Sequence, residues 1–351
     1  MLRVLVAEDS ATARLLLVSL LSSDPDITVV GQARNGAEAV ALCASLRPDV
    51  VTMDIQMPEL DGLEATRLIV SQTGTPVIIV SSLDQADISR SMTAFNAGAL
   101  AVLAKPSGPG TPRFQRDCRE LIETVKALSD ARPEAPPSLP TSAPAPQPRA
   151  QTDVPAGERR LEIIGIVSST GGPIALRAFF QELPERVNVP IMLVQQIAAG
   201  FATAFAGWLS SCTNRQVRVA VDRETVVPDV VYVAPDDRHM AVAGGVVVLS
   251  DGPPQDGARP SGTILLTSLA KEYGARAAGV LLTGSSADGV EGLKALREAG
   301  GNVYGQDQAS CTTFETPRAA LDAGAISKTT PLAEIPRSLA NLMAGRAEAS
   351  S

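Results

Sequence analysis

The stretch VVTMDIQMPELDG, residues 50–62, holds the pattern that decides the fold of the first half of the chain. Its first four residues are apolar or β-branched, and they run into Asp54 and then a turn with Pro58, Asp61 and Gly62. A short run of this kind that ends in turn residues is typical of a buried strand. Similar runs lie on either side of it, at residues 3–7, 27–33, 77–80 and 101–103.

Helix-length segments separate these runs. They lie at residues 11–21, 36–46, 62–71, 88–97 and 114–128. Strands that alternate with helices form βαβ units and a parallel sheet. We therefore predict an N-terminal (βα)5 domain over residues 1–128.

The composition changes after this first domain. Eight prolines lie between Asp130 and Arg160, among Ala, Ser, Thr and Gln, and few side chains there are apolar enough to form a core. Such a composition is typical of an extended linker. We predict a Pro-rich flexible linker over residues 129–160.

The α/β alternation resumes at Leu161 and predicts a second domain over residues 161–345. Predicted strands lie at 162–167, 191–195, 217–221, 230–234, 240–243, 246–249, 279–283 and 302–304. Predicted helices lie at 174–181, 201–211, 262–273, 289–298 and 317–322. Ala-Gly-Gly at 243–245 predicts a hairpin. The expected fold is a doubly wound α/β domain with a mostly parallel sheet.

Charge and composition exclude several function classes. The net charge is −8 and no basic run is present, which argues against nucleic acid as a partner. The four cysteines are widely spaced with no Cys/His cluster, so a zinc site is not expected. Neither a signal peptide nor an apolar membrane span is recognisable. We predict a cytoplasmic protein without direct membrane insertion.

Polar side chains follow four strands of the first predicted sheet. Glu8 and Asp9 follow the first strand, Asp54 the third, Ser81 the fourth and Lys105 the fifth. Because ligands bind at the carboxyl ends of parallel strands, we expect these groups to converge. Carboxylate oxygens suit Mg²⁺, which would help Asp54 attack a phosphoryl group. Ser81 and Lys105 could then bind the phosphoryl oxygens.

Residues 1–128 resemble response-regulator receivers. The resemblance rests on VLVAEDS, VTMDIQMPELDG, VIIVSS and AVLAKP at residues 4–10, 51–62, 77–82 and 101–106. It implies that Asp54 accepts phosphate from a histidine kinase. It also implies that Mg²⁺ is held by Glu8, Asp9, Asp54 and the backbone carbonyl of Gln56. Receivers often carry an aromatic residue at the position of Val102, so a rotating-ring relay is not expected here.

A second set of polar residues follows strands of the second domain. Ser168 and Ser169 end a strand and precede Gly171, Gly172 and Pro173 at a helix start. Alone, such serines are more often helix caps than nucleophiles. Gln196 and Asp288 follow two further predicted strands, so both could meet Ser169 at one edge of the sheet.

Residues 161–345 resemble the catalytic domain of chemotaxis protein-glutamate methylesterases (CheB-like proteins). The motifs are VSSTGG, VQQIAAGFATAFAGWL, VYVAPDDRHM, PSGTILLTSLA, LLTGSSADGVEGLKALREAGG and QDQASCTTFETPRAAL. The resemblance implies that Ser169 is the nucleophile and Asp288 orients the base, with no cofactor in this domain. The implied substrates are glutamate methyl esters, and some glutamines, on chemoreceptors.

Two positions depart from the family pattern. Gln196 stands where the family has a histidine in a VQH motif, and Ser285 stands where it has a methionine beside the oxyanion region. An amide does not accept a proton near neutral pH, so Gln196 cannot be a general base. The chain is then either a methylesterase with altered chemistry or an impaired family member that acts as a phosphorylation-dependent binding module.

His239 is the only histidine of the chain. It could replace the missing base, but the family carries a histidine at this place beside its catalytic one, which favours a structural or substrate-side role. We interpret Trp208, Phe201 and Phe205 as core residues, and Asp236 and Asp237 as a solvated turn.

Overall fold

The computed structural model describes residues 1–82, 85–108, 110–111, 113–129, 131 and 161–343, and it leaves out the side chains of residues 85–87. Apart from residues 129 and 131, the predicted linker lies outside these described residues, as do positions 344 and 345 of the predicted second domain.

The first domain is a five-stranded parallel sheet with the strand order β2-β1-β3-β4-β5. Its strands are β1 (Leu2–Ala7), β2 (Ile27–Ala33), β3 (Val50–Met53), β4 (Val77–Ser81) and β5 (Ala101–Ala104). Its helices are α1 (Ala11–Ser22), α2 (Gly36–Leu46), α3 (Gly62–Thr73), α4 (Gln85–Ala97) and α5 (Phe114–Leu128). The predicted alternation is confirmed, and this strand order places the ends of β1 and β3 side by side.

Side-chain caps fix where the first three helices begin. Ser10, Asn35 and Asp61 each accept a hydrogen bond from a backbone N–H in the first turn of α1, α2 and α3. Such caps satisfy donors that a helix start otherwise leaves unpaired. The loops that carry Glu8, Asp9 and Asp54 are therefore held at both ends.

The second domain is a six-stranded parallel sheet with the order β13-β12-β6-β7-β9-β8. These strands are β6 (Ile163–Ser168), β7 (Ile191–Gln195), β8 (Gln216–Val219), β9 (Val230–Val233), β12 (Ala277–Leu281) and β13 (Asn302–Gly305). A separate antiparallel hairpin joins β10 (His239–Ala243) and β11 (Val246–Ser250). The mostly parallel fold and the hairpin are confirmed.

Helices cover this sheet on both faces. They are α6 (Gly172–Glu182), α7 (Ala202–Cys212), α8 (Gly262–Tyr273), α9 (Val290–Glu298), α10 (Glu315–Asp322) and α11 (Ile335–Met343). The sequence reasoning missed α11, although Ile335, Leu339 and Ala340 form its buried stripe. β6, β7 and β12 are buried along their whole length, as expected for central strands between helices.

The two domains touch through α4 and α7. The ring of Phe95 lies 5.3 Å from that of Trp208, and Trp208 Nε1 donates to Asn96 Oδ1 over 3.3 Å. Arg177 of α6 donates to the same oxygen, also over 3.3 Å. Trp208 was predicted to be a core residue; it is buried, but partly by the other domain.

No helix in the described ranges is both long and apolar enough to cross a membrane.

Candidate functional sites

The polar residues at the ends of β1 and β3 form an acidic cluster. One carboxylate oxygen from each of Glu8, Asp9 and Asp54 lies within 4.8 Å of the others. Glu8 and Asp54 are buried, whereas Asp9 is exposed. Burial raises the pKa of Glu8, and the neighbouring charge of Asp54 raises it further. A divalent cation would relieve this crowding of negative charge, because hard oxygen ligands are those that Mg²⁺ prefers.

Lys105 partly offsets the charge of this cluster. Its Nζ lies 2.9 Å from Glu8 Oε2 and 3.0 Å from Asp54 Oδ2. Burial alone would lower the pKa of Lys105, but the hydrogen bond to Glu8 and the charge of Asp54 together raise it. For Asp54 burial raises the pKa, and Lys105 acts in the opposite direction. The ammonium group is thus held against the carboxylate that was predicted to accept phosphate.

Ser81 reaches the same edge at the end of β4. Its hydroxyl is buried, and it has no hydrogen-bond partner among the described residues. A buried hydroxyl without a partner is costly, so its position suits a ligand that would supply an acceptor. Gln56 lines the cleft that opens beside Asp9. The structure therefore brings Glu8, Asp9, Asp54, Ser81 and Lys105 to one edge, as the sequence predicted.

The second site lies at the carboxyl ends of three neighbouring strands, β12, β6 and β7. Ser169 follows β6, Gln196 follows β7, and Asp288 lies in the loop after β12. The three strands are adjacent in the sheet, so the loops share one edge.

Asp288 is the most densely bonded member of this site. Its side chain is 1% exposed and accepts four hydrogen bonds. Three come from the start of α8: Ser261 Oγ at 2.7 Å, Gly262 N at 2.7 Å and Thr263 N at 3.1 Å. A carboxylate at a helix N-terminus is stabilised by the free N–H groups there. Asp288 is therefore held in one orientation.

The fourth donor to Asp288 is Gln196. Its amide Nε2 donates to Asp288 Oδ2 over 2.9 Å and to the carbonyl of Pro260 over 2.7 Å. Both partners only accept, so the amide nitrogen must face them. Both N–H bonds of the Gln196 amide are therefore used, one of them on the carboxylate of Asp288.

Ser169 lies across the site from this pair. Its Oγ accepts a hydrogen bond from the backbone N–H of Ser285 over 3.0 Å. Gly284 packs so closely that a Cβ there would approach Ser169 Oγ to 2.3 Å. Within the described part of the chain, no hydrogen bond joins Ser169 Oγ to Gln196. The serine hydroxyl proton therefore has no base to accept it in this arrangement.

His239 does not join this site through a hydrogen bond. Its Nε2 lies 3.0 Å from the carbonyl of Pro253, and its Nδ1 is buried without a partner among the described residues. A carbonyl only accepts, so Nε2 carries the proton. The sequence-level possibility that His239 replaces the base finds no contact with Ser169 or Asp288 to support it.

Sequence reasoning missed two contributors to the site. Gln195 bridges two loops: it accepts from Ser168 Oγ over 2.6 Å and donates to the carbonyls of Ser169 and Gln196. Ser261 is the N-cap of α8 and donates to Asp288. Ser before Gly262 at the start of a predicted helix was an available capping signal, whereas nothing in the sequence pairs Gln195 with Ser168.

Comparisons with known proteins identify both domains. A family model described as CheB methylesterase matches residues 164–339, and one described as response regulator receiver domain matches residues 4–111. The protein-glutamate methylesterase/protein-glutamine glutaminase 3 of Anaeromyxobacter dehalogenans is 49% identical over 92% of this chain and 94% of its own length. A relative of the same description, numbered 4, from Myxococcus xanthus is 44% identical over 98% of both chains.

A solved structure shares the second fold. The crystal structure of the Thermotoga maritima CheB methylesterase catalytic domain superposes with a TM-score of 0.50 at 32% identity. It covers 52% of this chain and 98% of that one.

Proposed function

Because the chain belongs to the CheB methylesterase family and carries a receiver domain, we propose that it is a phosphorylation-regulated protein-glutamate methylesterase and glutaminase of chemotaxis. Its substrates would be methyl-esterified glutamates and some glutamines of chemoreceptors. The receiver would span residues 1–128, the linker 129–160 and the catalytic domain 161–345. The observation that supports this most is that Ser169, whose Oγ accepts from the backbone N–H of Ser285, shares one sheet edge with the fully hydrogen-bonded carboxylate of Asp288 inside the matched region 164–339.

The proposed reaction uses Ser169 as nucleophile. Its Oγ attacks the carbonyl carbon of the glutamyl ester, the ester C–O bond breaks, and methanol leaves with the proton of the serine. Water then attacks the acyl-serine, releasing glutamate and restoring the hydroxyl; with a glutamine substrate, ammonia leaves instead. Backbone N–H groups near Ser169, such as that of Ser285, are suited to stabilise developing charge on oxygen.

Gln196 makes the first step slow. Both of its N–H bonds are donated to acceptors, and an amide takes no proton near neutral pH. The proton of Ser169 must therefore leave without a positioned base. A site that keeps its nucleophile and hydrogen-bond donors but loses the base keeps a residual rate, about 10³–10⁴-fold above water in serine hydrolases.

For the first domain we propose that Asp54 is the phosphate acceptor and a histidine kinase the donor. Glu8, Asp9, Asp54 and the backbone carbonyl of Gln56 would hold Mg²⁺, which supplies charge neutralisation for phosphoryl transfer. The Nζ of Lys105 already lies 3.0 Å from Asp54 Oδ2 and would pair with the phosphoryl oxygens once Asp54 is phosphorylated. The Ser81 hydroxyl, which has no partner among the described residues, would donate to the same group.

Replacing Asp54 tests the proposed phosphate acceptor. We expect the Asp54→Asn chain to take up no label from a phosphorylated histidine kinase in the presence of Mg²⁺, because an amide is not a nucleophile toward phosphorus. The matched control is Asp49→Asn, since Asp49 lies at the opposite end of β3 and bonds Arg3 N. Equal labelling of Asp54→Asn and wild type would refute Asp54 as the acceptor.

The contact between the domains suggests how phosphorylation reaches the esterase site. Ala104, next to Lys105, lines a small cavity with Ala198 and Ala199, which follow Gln196 by two and three residues. We infer that the unphosphorylated receiver covers this edge and that the α4–α7 contact holds it there. A phosphoryl group on Asp54 would attract Lys105 and shift the end of β5. This shift would weaken the contact that holds the receiver over the esterase site.

The α4–α7 contact can be weakened at Asn96. Asn96→Ala removes the acceptor for Trp208 Nε1 and Arg177. The Arg177 bond is exposed and contributes little, whereas the part-buried Trp208 bond contributes about 1 kcal/mol net, so we expect the uncovered fraction to rise about fivefold. The measurement is ester hydrolysis by the unphosphorylated chain in a Gln196→His background, with the emission of Trp208 as a second signal. Thr93→Ala, at an exposed position of the same helix, should change neither the rate of ester hydrolysis nor the emission of Trp208. An equal effect of Asn96→Ala and Thr93→Ala would contradict this role of Asn96.

A second function is favoured by one observation, the doubly bonded amide of Gln196. A domain that binds receptor glutamyl groups without turnover would act as a phosphorylation-dependent binding module in the cytoplasm. Mass spectrometry of methylated receptor incubated with the phosphorylated chain separates the two functions. Loss of methyl groups that requires Ser169 supports the enzyme, whereas retention of the receptor without any conversion supports the module.

A further inference from the structure

The run Asp236-Asp237-Arg238-His239, which leads from β9 into the first residue of β10, is not part of the proposed chemistry, yet its members contact the two loops around Gln196. We name these the Gln196 loop (residues 196–201, before α7) and the Pro253 loop (residues 251–261, before α8). The loops meet where Gln196 Nε2 donates to the carbonyl of Pro260. Whatever holds both loops therefore sets the position of the side chain at 196.

Arg238 and His239 bind the first part of the Pro253 loop. Arg238 Nε lies 2.9 Å from Asp251 Oδ1, and His239 Nε2 donates to the carbonyl of Pro253 over 3.0 Å. His239 is only 1% exposed, so its hydrogen bond is shielded from water.

Asp237 binds the far end of the same loop. Its Oδ1 accepts from Arg259 Nε over 2.8 Å and lies 2.7 Å from Arg259 Nη2. Arg259 Nη1 also donates to the carbonyl of Gly252 over 2.9 Å. Arg259 immediately precedes Pro260, so this ion pair lies one residue from the carbonyl that holds Gln196.

Asp236 faces the other loop. Burial raises the pKa of its carboxyl group, and the backbone N–H groups of Gly200, in the Gln196 loop, and of Ala202, the first residue of α7, oppose that rise. The prediction of a solvated turn is therefore wrong for Asp236, which is half-buried, and it describes only the exposed Asp237.

The hydrogen bonds of His239 are those of a positioning residue and not of a base. A catalytic histidine needs one nitrogen on the nucleophile and the other on an orienting group. The Nε2–H of His239 is bound to Pro253, and its remaining lone pair on Nδ1 is buried with no partner in the described ranges.

We propose that residues 236–239 form a brace that positions the Gln196 loop and the Pro253 loop, and that His239 acts in it only as a hydrogen-bond donor. This inference rests on the proposed function of the site. The brace fixes where the side chain at position 196 meets Asp288, and so sets the geometry of the acyl pocket. Any base introduced at position 196 would depend on it.

Two substitutions of His239 separate a donor from a base. His239→Gln keeps an N–H donor that can reach Pro253 but has no basic nitrogen, whereas His239→Ala removes the donor. In the Gln196→His background we expect His239→Ala to lower kcat for ester hydrolysis about 10²-fold, as misplacement of a reacting group by about 1 Å can do. We expect His239→Gln to retain most of the activity. If His239→Gln is as impaired as His239→Ala, the imidazole itself is required and the proposal is wrong.

Backbone hydrogen exchange tests the brace without any turnover. We expect peptides covering residues 251–262 to exchange faster in His239→Ala than in His239→Gln. Asp237→Ala, at an exposed position that should tolerate truncation, should speed the same peptides even if His239→Ala does not fold. Glu162→Ala is its matched control, because Glu162 is an exposed carboxylate paired with Arg276 at the opposite end of β6.

Ester hydrolysis and hydrogen exchange together distinguish a failure of the proposed function from a failure of the brace. If Gln196→His hydrolyses no ester, the proposed function fails. Backbone hydrogen exchange then tests on its own whether residues 236–239 hold the Pro253 loop. Unchanged exchange in Asp237→Ala, or equal changes in Asp237→Ala and Glu162→Ala, would overturn the brace whatever the activity.

Discussion

Replacing Gln196 with histidine is expected to raise Ser169-dependent hydrolysis of glutamyl methyl esters by about 10²–10⁴-fold, the usual contribution of a positioned general base. An imidazole N–H would take the place of the amide N–H that now donates to Asp288 over 2.9 Å. The other ring nitrogen would then be free to accept the proton of Ser169. The measurement is the initial rate of methanol release by the phosphorylated chain.

Two further variants serve as controls for this increase in hydrolysis rate. Ser169→Ala in the Gln196→His background should abolish it, because no other group would form the acyl intermediate. Gln196→Ala should not reproduce it, because alanine frees space beside Asp288 without adding a base. A gain that survives Ser169→Ala would mean that another nucleophile acts.

Truncating Asp288 is expected to destabilise the catalytic domain as well as the site. The carboxylate accepts four hydrogen bonds, three of them from Ser261, Gly262 and Thr263 at the start of α8. Each buried donor left without a partner costs about 1–3 kcal/mol. We therefore expect Asp288→Ala to lower the free energy of unfolding by at least about 3 kcal/mol.

Urea denaturation measures this loss. Trp208, the only tryptophan, lies in α7 at the contact with α4, so its fluorescence reports both on the catalytic domain and on that contact, and circular dichroism measured at the same urea concentrations separates the two. Glu162→Ala is a suitable control, because Glu162 is exposed and forms a single ion pair with Arg276 at the far end of β6. A loss below 1 kcal/mol for Asp288→Ala would mean that water or another side chain satisfies the start of α8.

Because Asp288→Ala is expected to lower both the stability of the domain and its activity, activity alone is a poor test of the role of Asp288. Its removal would stop an enzyme by disordering the start of α8 even if the carboxylate had no part in orienting a base. Gln196 avoids this difficulty, because histidine can keep the donor to Asp288 and adds only the proton acceptor. The substitution at position 196 is therefore the cleaner probe of the chemistry.

Much of the fold followed from local patterns. The bounds of β3, α2, α5, β7 and α8 match the predicted segments. Apolar runs define β3 and β7 locally, and the side-chain caps Asn35 and Ser261 define the starts of α2 and α8. Helix α11 was missed although its local pattern is helical: Pro336 lies at the helix start, and Ile335, Leu339 and Ala340 recur at helical spacing along one buried face.

The strand-end rule predicted which residues share each site but not how they bond. Ser169, Gln196 and Asp288 were placed on one edge because parallel strands end together. That Gln196 also donates to Pro260, 64 residues away, depends on the path of the Pro253 loop, which no local pattern specifies. The same holds for Phe95 and Trp208, whose contact depends on how the two domains dock.

Methanol release from methylated receptor, compared among the phosphorylated wild type, Ser169→Ala and Gln196→His, tests the proposed function most directly. We expect slow release by the wild type that is lost in Ser169→Ala, and release by Gln196→His that is faster by at least about 10²-fold. Equal rates for the wild type and Gln196→His would contradict the claim that the missing base at position 196 limits this enzyme.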